Sequence, residues 1–77
     1  MNNNLFTSGV LVFATDVTNT REANNVLVSL LLHPGVRQAN FDLEDTDSIL
    51  RVVSCGISER EIERLLARHH LWCKALA

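Results

Sequence analysis

The chain has 77 residues, enough for one domain with a modest core and too few for two. Apolar residues make up 47% of the sequence and charged residues 21%, which is typical of a folded globular domain and not of a disordered one. Seven basic residues against nine acidic ones give a formal charge of −2, so we expect no basic surface and no nucleic-acid partner.

The amino terminus shows no targeting signal. Residues 1–8 are expected to form a flexible segment, and they lack the positive charge that begins a secretory signal peptide. Polar residues, among them Thr15 and Asp16, interrupt the apolar run over residues 5–17, so this run predicts neither a signal sequence nor a membrane span. We therefore expect a cytoplasmic protein with no membrane partner.

The first half of the chain predicts a strand followed by a helix. Residues 9–17 are rich in Val and Phe and follow a Ser-Gly breaker, which favours a strand. Asn19 is a suitable N-cap for a helix, and Glu22 is placed to reach back to the cap as in a capping box. The helix should bury one apolar stripe and end at His33, because Pro34 follows. The stripe consists of Ala23, Val26, Leu27, Leu30 and Leu31.

The second half predicts a hairpin, a helix and a last short strand. Residues 36–43 alternate between apolar and polar side chains and should pair with a third strand over residues 48–54. Arg51 leaves the register of that third strand open. Ser58 and Glu61 form a second capping-box pattern, which starts a helix that continues to about His69. Residues 71–76 can add a fourth strand.

The predicted order of elements is βαββαβ. With right-handed crossovers, this order gives an α+β fold in which an antiparallel sheet carries both helices on one face, a ferredoxin-like sandwich.

Residues 9–76 resemble the heavy-metal-associated domain family of copper chaperones. The resemblance rests on the loop Val17-Thr18-Asn19-Thr20-Arg21-Glu22, which stands where the family reads Met-Thr-Cys-x-x-Cys, and on Pro34-Gly35-Val36 one helix later. In this alignment Asn19 and Glu22 occupy the two cysteine positions. The resemblance implies a copper or zinc transport scaffold from which both thiolate ligands of the usual site are missing.

Three polar residues around this loop are weak candidates for a substituted metal site. Glu22 and Asp16 supply carboxylates and Asn19 supplies an amide, a set that holds a divalent cation weakly unless water or another chain completes the shell. The alternative is that Asn19 and Glu22 only cap the helix, which the capping pattern explains without a metal.

His69, His70 and Cys73 are the second candidate set, because imidazole and thiolate suit zinc, copper or nickel. Adjacent helical residues point about 100° apart, so the two histidines are poorly placed to chelate one ion and are better suited to end the helix. A joint site with Cys55 is not expected, because the first strand should lie between the strands that carry the two cysteines.

The remaining features point away from catalysis and toward association. No nucleophile with a partnered base and no phosphate-binding loop is recognisable, so we expect no enzyme. Trp72 is expected to pack in the core, with a partner contact as the alternative. In the first strand Val10, Val12 and Ala14 share one face and Leu11 and Phe13 the other, so apolar side chains remain on a sheet face that should be polar.

Three hypotheses of function follow. The first is an interaction or self-association module that uses the face with Val10, Val12 and Ala14 to bind a protein partner or a second copy. The second, which the family resemblance implies, is binding or transport of copper or zinc through the substituted ligands. The third is a regulatory module that binds a small ligand, which rests on fold analogy alone.

Overall fold

The structure of the protein is a computed structural model that describes residues 9–76. The predicted flexible segment over residues 1–8 lies outside this range. The elements are β1 (Gly9–Thr15), α1 (Thr20–Leu31), β2 (Val36–Asp42), β3 (Ile49–Ser54), α2 (Glu59–Arg68) and β4 (Cys73–Ala75). Neither helix in this range has the length and apolar character needed to cross a membrane.

The strands form one four-stranded sheet in the order β2-β3-β1-β4, and all three neighbouring pairs are antiparallel. The predicted α+β class, with an antiparallel sheet and two helices, is confirmed. One face of the sheet packs against both helices in a single core. The buried members of this core are Phe13, Val26, Leu30, Val36, Leu50, Val52, Ile57, Ile62, Leu65 and Leu66.

The pairing of β1 with β3 settles the register that the sequence left open. Phe13 lies opposite Leu50, and Leu11 lies opposite Val52, so these side chains point toward the helices. Arg51 lies opposite Val12 on the other face, where its charge stays in solvent. Successive residues of a strand point to opposite faces, so Leu50 and Val52 point to the core while Arg51 points to solvent. The charge of Arg51 therefore does not have to be buried.

The first strand ends at Thr15, two residues earlier than predicted, because the chain turns to bond with the loop between β2 and β3. The Thr15 hydroxyl donates to the carbonyl of Ser48 at 2.7 Å and accepts the amide of Val17 at 3.3 Å. The Ser48 hydroxyl in turn donates to the carbonyl of Val17 at 2.6 Å. Val17 is buried although it lies outside the strand.

Helix α1 ends at Leu31, two residues before the predicted end. The amide of His33 bonds to the carbonyl of Leu30, a tighter turn than an α-helix makes, and Pro34 follows. Ala23, Val26 and Leu30 are buried as predicted. The prediction that Leu31 belongs to the buried stripe is wrong, because Leu31 lies about 100° around the helix from Leu30 and is 54% exposed.

The turn at Gly35 brings the start of β2 against the segment between β3 and α2. The carbonyl of Gly35 accepts two amides, from Cys55 at 2.8 Å and from Ile57 at 3.1 Å. The amide of Gly35 donates to Nδ1 of His33 at 2.9 Å, which places the proton of the neutral ring on Nε2. This nitrogen faces Oε2 of Glu61 at 3.5 Å. The turn therefore ties the end of α1 to the start of α2.

Helix α2 is capped at both ends. At its start, the Ser58 hydroxyl accepts the amide of Glu61 and the Glu61 carboxylate accepts the amide of Ser58, so the predicted capping box is confirmed. At its end, the amide of His70 bonds to Ala67 and the amide of Leu71 bonds to Leu66, the pattern of a Schellman motif. His70 accordingly adopts a left-handed conformation with φ of 61°, at a position that glycine usually occupies.

Replacement of Ser58 by Ala should lower the free energy of unfolding by about 0.5–2 kcal/mol, because the substitution removes the acceptor for the Glu61 amide. The measurement is a urea denaturation midpoint. Ser58→Asp is the matched control, since an aspartate can still accept this bond and should leave the midpoint near that of the parent. Equal midpoints for all three proteins would contradict the role of Ser58 as the cap.

Replacement of Gly35 by Ala should destabilise the domain by about 1–3 kcal/mol, because the new methyl group would lie 2.6 Å from the amide nitrogen of Ile57. The contact is with backbone, which cannot rotate away. Gly9→Ala is the control, since a methyl group there meets nothing within 4 Å. The midpoint temperature of thermal unfolding, followed by circular dichroism, is measured for both variants. A similar decrease of this temperature in both would refute the close approach at Gly35.

Candidate functional site

The loop between β1 and α1 uses its polar side chains to begin the helix. The Asn19 side-chain oxygen accepts the amide of Glu22 at 2.9 Å, which confirms Asn19 as the N-cap. The Glu22 carboxylate accepts the amide and the hydroxyl of Thr18 at 3.0 and 3.1 Å. The prediction that Glu22 reaches the cap residue itself is wrong by one position. Both candidate ligands are thus already bonded within the loop.

Asp16 lies beside this loop, but its carboxylate faces the last strand. One oxygen of Asp16 accepts the amide of Trp72 at 2.7 Å, and the Asp16 amide donates to the Trp72 carbonyl at 3.2 Å. These two bonds extend the pairing of β1 with β4 by one residue. The structure therefore assigns Asp16 a role in closing the edge of the sheet.

His69, His70 and Cys73 face three different environments. His69 turns toward α1, where its Nε2 lies 3.0 Å from the hydroxyl of Ser29. His70 is exposed at the left-handed turn after the helix. Burial raises the pKa of the Cys73 thiol to about 11, and the carboxylates of Glu63 and Asp16 add to the effect. Because metals bind the thiolate form, a raised pKa opposes a metal role for Cys73.

The structure does not bring the candidate ligands together into one site. Within residues 9–76, no group of three or more His, Cys, Asp or Glu side chains is placed to hold a metal ion. Cys55 is exposed, and its thiol lies 3.5 Å from the carbonyl of Pro34. Strand β1 separates the strand that ends beside Cys55 from the strand that begins at Cys73, as the sequence predicts.

The face of the sheet away from the helices carries a row of apolar side chains, Val10, Val12 and Ala14. We call this face of the sheet the sheet face. Residues opposite each other in register share a face, so Val10 joins Val53 there and Ala14 joins Lys74. Val10 is 60% exposed, whereas Val12 and Ala14 are partly covered by their neighbours.

Trp72 and Leu76 extend the sheet face beyond the residues identified from the sequence. Trp72 is 55% exposed and Leu76 is 44% exposed, so the prediction that Trp72 packs in the core is wrong. Cys73 and Ala75 point to the core. Because side chains alternate along a strand, Trp72, Lys74 and Leu76 point outward. The amide of Leu76 bonds to the carbonyl of Val12, so its side chain lies beside the apolar row. The alternation over residues 71–76 is the signal that could have revealed this.

The geometry favours the sheet face over the polar clusters as the candidate site. The polar side chains near the loop bond to backbone groups of the same fold, which leaves them little capacity for a ligand. The sheet face instead exposes one large aromatic side chain and several aliphatic side chains over two neighbouring strands. Such a surface is typical of contacts between proteins. Comparison of the chain with protein-family models, with curated proteins and with solved structures gives no match.

We expect no tight Cu(I) binding at the loop, because Asn19 and Glu22 supply no thiolate and already bond within the loop. The double variant Asn19→Cys with Glu22→Cys should gain affinity, because both sulfurs would lie in one turn at a helix amino terminus, which lowers thiol pKa values. The measurement is a competition titration of the reduced protein against a Cu(I) chelator.

The control for this titration is the double variant Asn24→Cys with Asn25→Cys, which places two exposed thiols about 100° apart on the same helix. It retains Cys55 and Cys73, so any binding by these two residues appears in both variants. Tight stoichiometric binding by the unmodified chain that disappears with Glu22→Gln would overturn the interpretation of the loop.

Proposed function

We propose that the chain is a small non-catalytic interaction module that self-associates through its sheet face. The observation that carries the proposal is the exposure of Val10, Trp72 and Leu76 on a face of the sheet that neither α1 nor α2 covers. A sheet face that stays in solvent is normally polar, so these side chains favour a partner surface.

The size of the sheet face sets the expected strength of association. Four strands about 4.8 Å apart and about 3.3 Å per residue give a projected area of about 400 Å² per copy. Burial of apolar surface contributes about 25 cal/mol per Å², from which the entropy cost of association is subtracted. Two such faces would bury about 800 Å² in total, less than the roughly 1,200 Å² of stable specific complexes, so we expect a weak, transient contact with a dissociation constant on the order of 10 μM or weaker.

Two cations on the sheet face influence how copies can meet. Arg51 lies beside Val12, and Lys74 lies beside Ala14. In a symmetric pair these charges repel across the contact unless they lie at its rim, and dissolved salt screens that repulsion. Self-association should therefore strengthen as the salt concentration rises, which is opposite to the behaviour of a contact held by ion pairs.

The proposal also takes the fold as a ferredoxin-like sandwich and the chain as a degenerate heavy-metal-associated domain. The strand order β2-β3-β1-β4, with the two central strands antiparallel, supports the first part. The second part rests on the loop residues Asn19 and Glu22 and on Pro34-Gly35-Val36, as described from the sequence. In this proposal the domain keeps the scaffold of a metal carrier and uses the sheet face for contacts with protein.

The test of self-association is sedimentation velocity of the protein between about 10 and 500 μM, a range that spans the expected constant. The parent should shift toward a dimer with concentration, and Val12→Glu should remain monomeric because it buries a charge in the contact. Trp72→Ser should weaken the dimer without adding charge. Thr46→Glu is the control, since it adds the same charge on an exposed loop between β2 and β3.

Circular dichroism first establishes that each variant folds. A parent that stays monomeric at the highest concentration would refute self-association and leave only a different protein as partner. A dimer that is unaffected by both Val12→Glu and Trp72→Ser would refute the sheet face as the contact.

A further inference from the structure

A second apolar surface lies on the outer side of α1, across the domain from the sheet face. We define the α1 surface as Val28, Leu31 and Leu32, which are 60%, 54% and 80% exposed. Val28 and Leu32 are one turn apart and lie side by side, and Leu31 lies next to them around the helix. Three large aliphatic side chains in one and a half turns of a helix form an apolar patch whose exposure to water is unfavourable.

The α1 surface continues into a groove between the two helices. The groove has a volume of about 490 Å³, and Leu32 and Pro34 form its apolar wall on one side. Leu65 of α2 lines the other side. The hydrogen bond between Ser29 and His69 joins the two helices at 3.0 Å and fixes the shape of this end of the groove.

Charges are distributed unevenly along the groove. Arg68 lines it, and Arg64 lies one helical turn earlier on the same side of α2. Within residues 9–76, the one contact closer than 4.0 Å between a basic and an acidic side chain is that of the His33 ring with Glu61, near the start of α2. The carboxylate at that end is therefore engaged, whereas the two arginines at the other end have no acidic partner in the described part of the chain.

We propose that the α1 surface and the adjoining groove bind an amphipathic helix of a partner protein, with carboxylates on the flank that meets Arg64 and Arg68. An apolar helical face in a groove between helices is a recurrent mode of peptide recognition. A small ligand in the groove would leave Val28 and Leu31 uncovered, whereas a helix about 10 Å wide covers both the groove and the surface beside it.

A second copy of the chain is the poorer occupant of this surface. Two copies related by a twofold axis at the groove would bring Arg64 and Arg68 of each close to the arginines of the other. The acidic run over residues 44–47 forms a turn between β2 and β3 and not a helix. The inference goes beyond self-association at the sheet face, because a dimer formed there leaves the α1 surface of both copies free to bind partners.

The test uses two synthetic peptides of 18 residues with the same leucine face, one flanked by glutamates and one by lysines. Binding to the full 77-residue protein is followed by fluorescence anisotropy at low salt. The glutamate peptide should bind about tenfold more tightly than the lysine peptide, because two exposed charge pairs differ between them. The double variant Arg64→Glu with Arg68→Glu should reverse this preference.

Substitutions in the apolar surface separate the groove from the sheet face. Val28→Lys and Leu32→Gln should each weaken the glutamate peptide about tenfold, and both side chains are exposed enough for the variants to fold. Val12→Glu is the control and should leave peptide binding unchanged. Amide chemical shifts of the labelled protein should move in α1 and α2 and stay constant in β1 and β4.

Several results would overturn the proposal. Equal affinity for the two peptides would remove the role of the arginines, and shift changes confined to the sheet face would place the binding elsewhere. Loss of self-association in Val28→Lys but not in Val12→Glu would show that copies of the chain occupy the α1 surface. That last result would also refute self-association through the sheet face. Failure of the peptide to bind would refute only the proposal for the α1 surface.

Discussion

The contact between Gly35 and Ile57 is the constraint on which the arrangement of both helices depends. The carbonyl of Gly35 accepts the amides of Cys55 and Ile57, so the start of β2 and the start of α2 meet without a side chain between them. The same turn holds the ring of His33, which faces the carboxylate of the capping residue Glu61. The absence of a side chain at Gly35 thus permits the close approach that joins the end of α1 to the segment before α2.

Local patterns in the sequence were sufficient to predict the elements and their order along the chain. Ser58 and Glu61 are three residues apart, so the capping box depends on nothing distant. The end of β1 and the role of Gly35 could not be predicted in the same way. Thr15 stops the strand because it bonds to Ser48, 33 residues later, and Gly35 is required because Ile57 approaches it. Such bonds depend on which loops the sheet order brings together.

The residues of the candidate site likewise divide into those that local spacing predicts and those that depend on contacts with distant residues. Asn19 acts as a cap, as its position predicts, whereas Asp16 bonds to Trp72, 56 residues away, through a contact that no spacing indicates. The outward-facing residues of β1 were evident from alternation within one strand. The prediction for Trp72 is wrong because it rests on the usual core role of an aromatic side chain in a small domain, whereas the alternation over residues 71–76 turns Trp72 outward. The groove requires the packing of two helices and has no signal in the sequence.

The two edges of the sheet limit how copies of this chain can add to one another. A long flat edge offers unpaired amides and carbonyls to a further strand, and repeated addition leads to fibres. Here the edge strand β2 has an irregularity in its pairing between Val36 and Gln38, with the exposed charge of Arg37 at that point. The other edge, β4, is three residues long. A chain with an irregular charged edge and a short one is poorly suited to open-ended growth by added strands, a property that agrees with the proposed contact between faces.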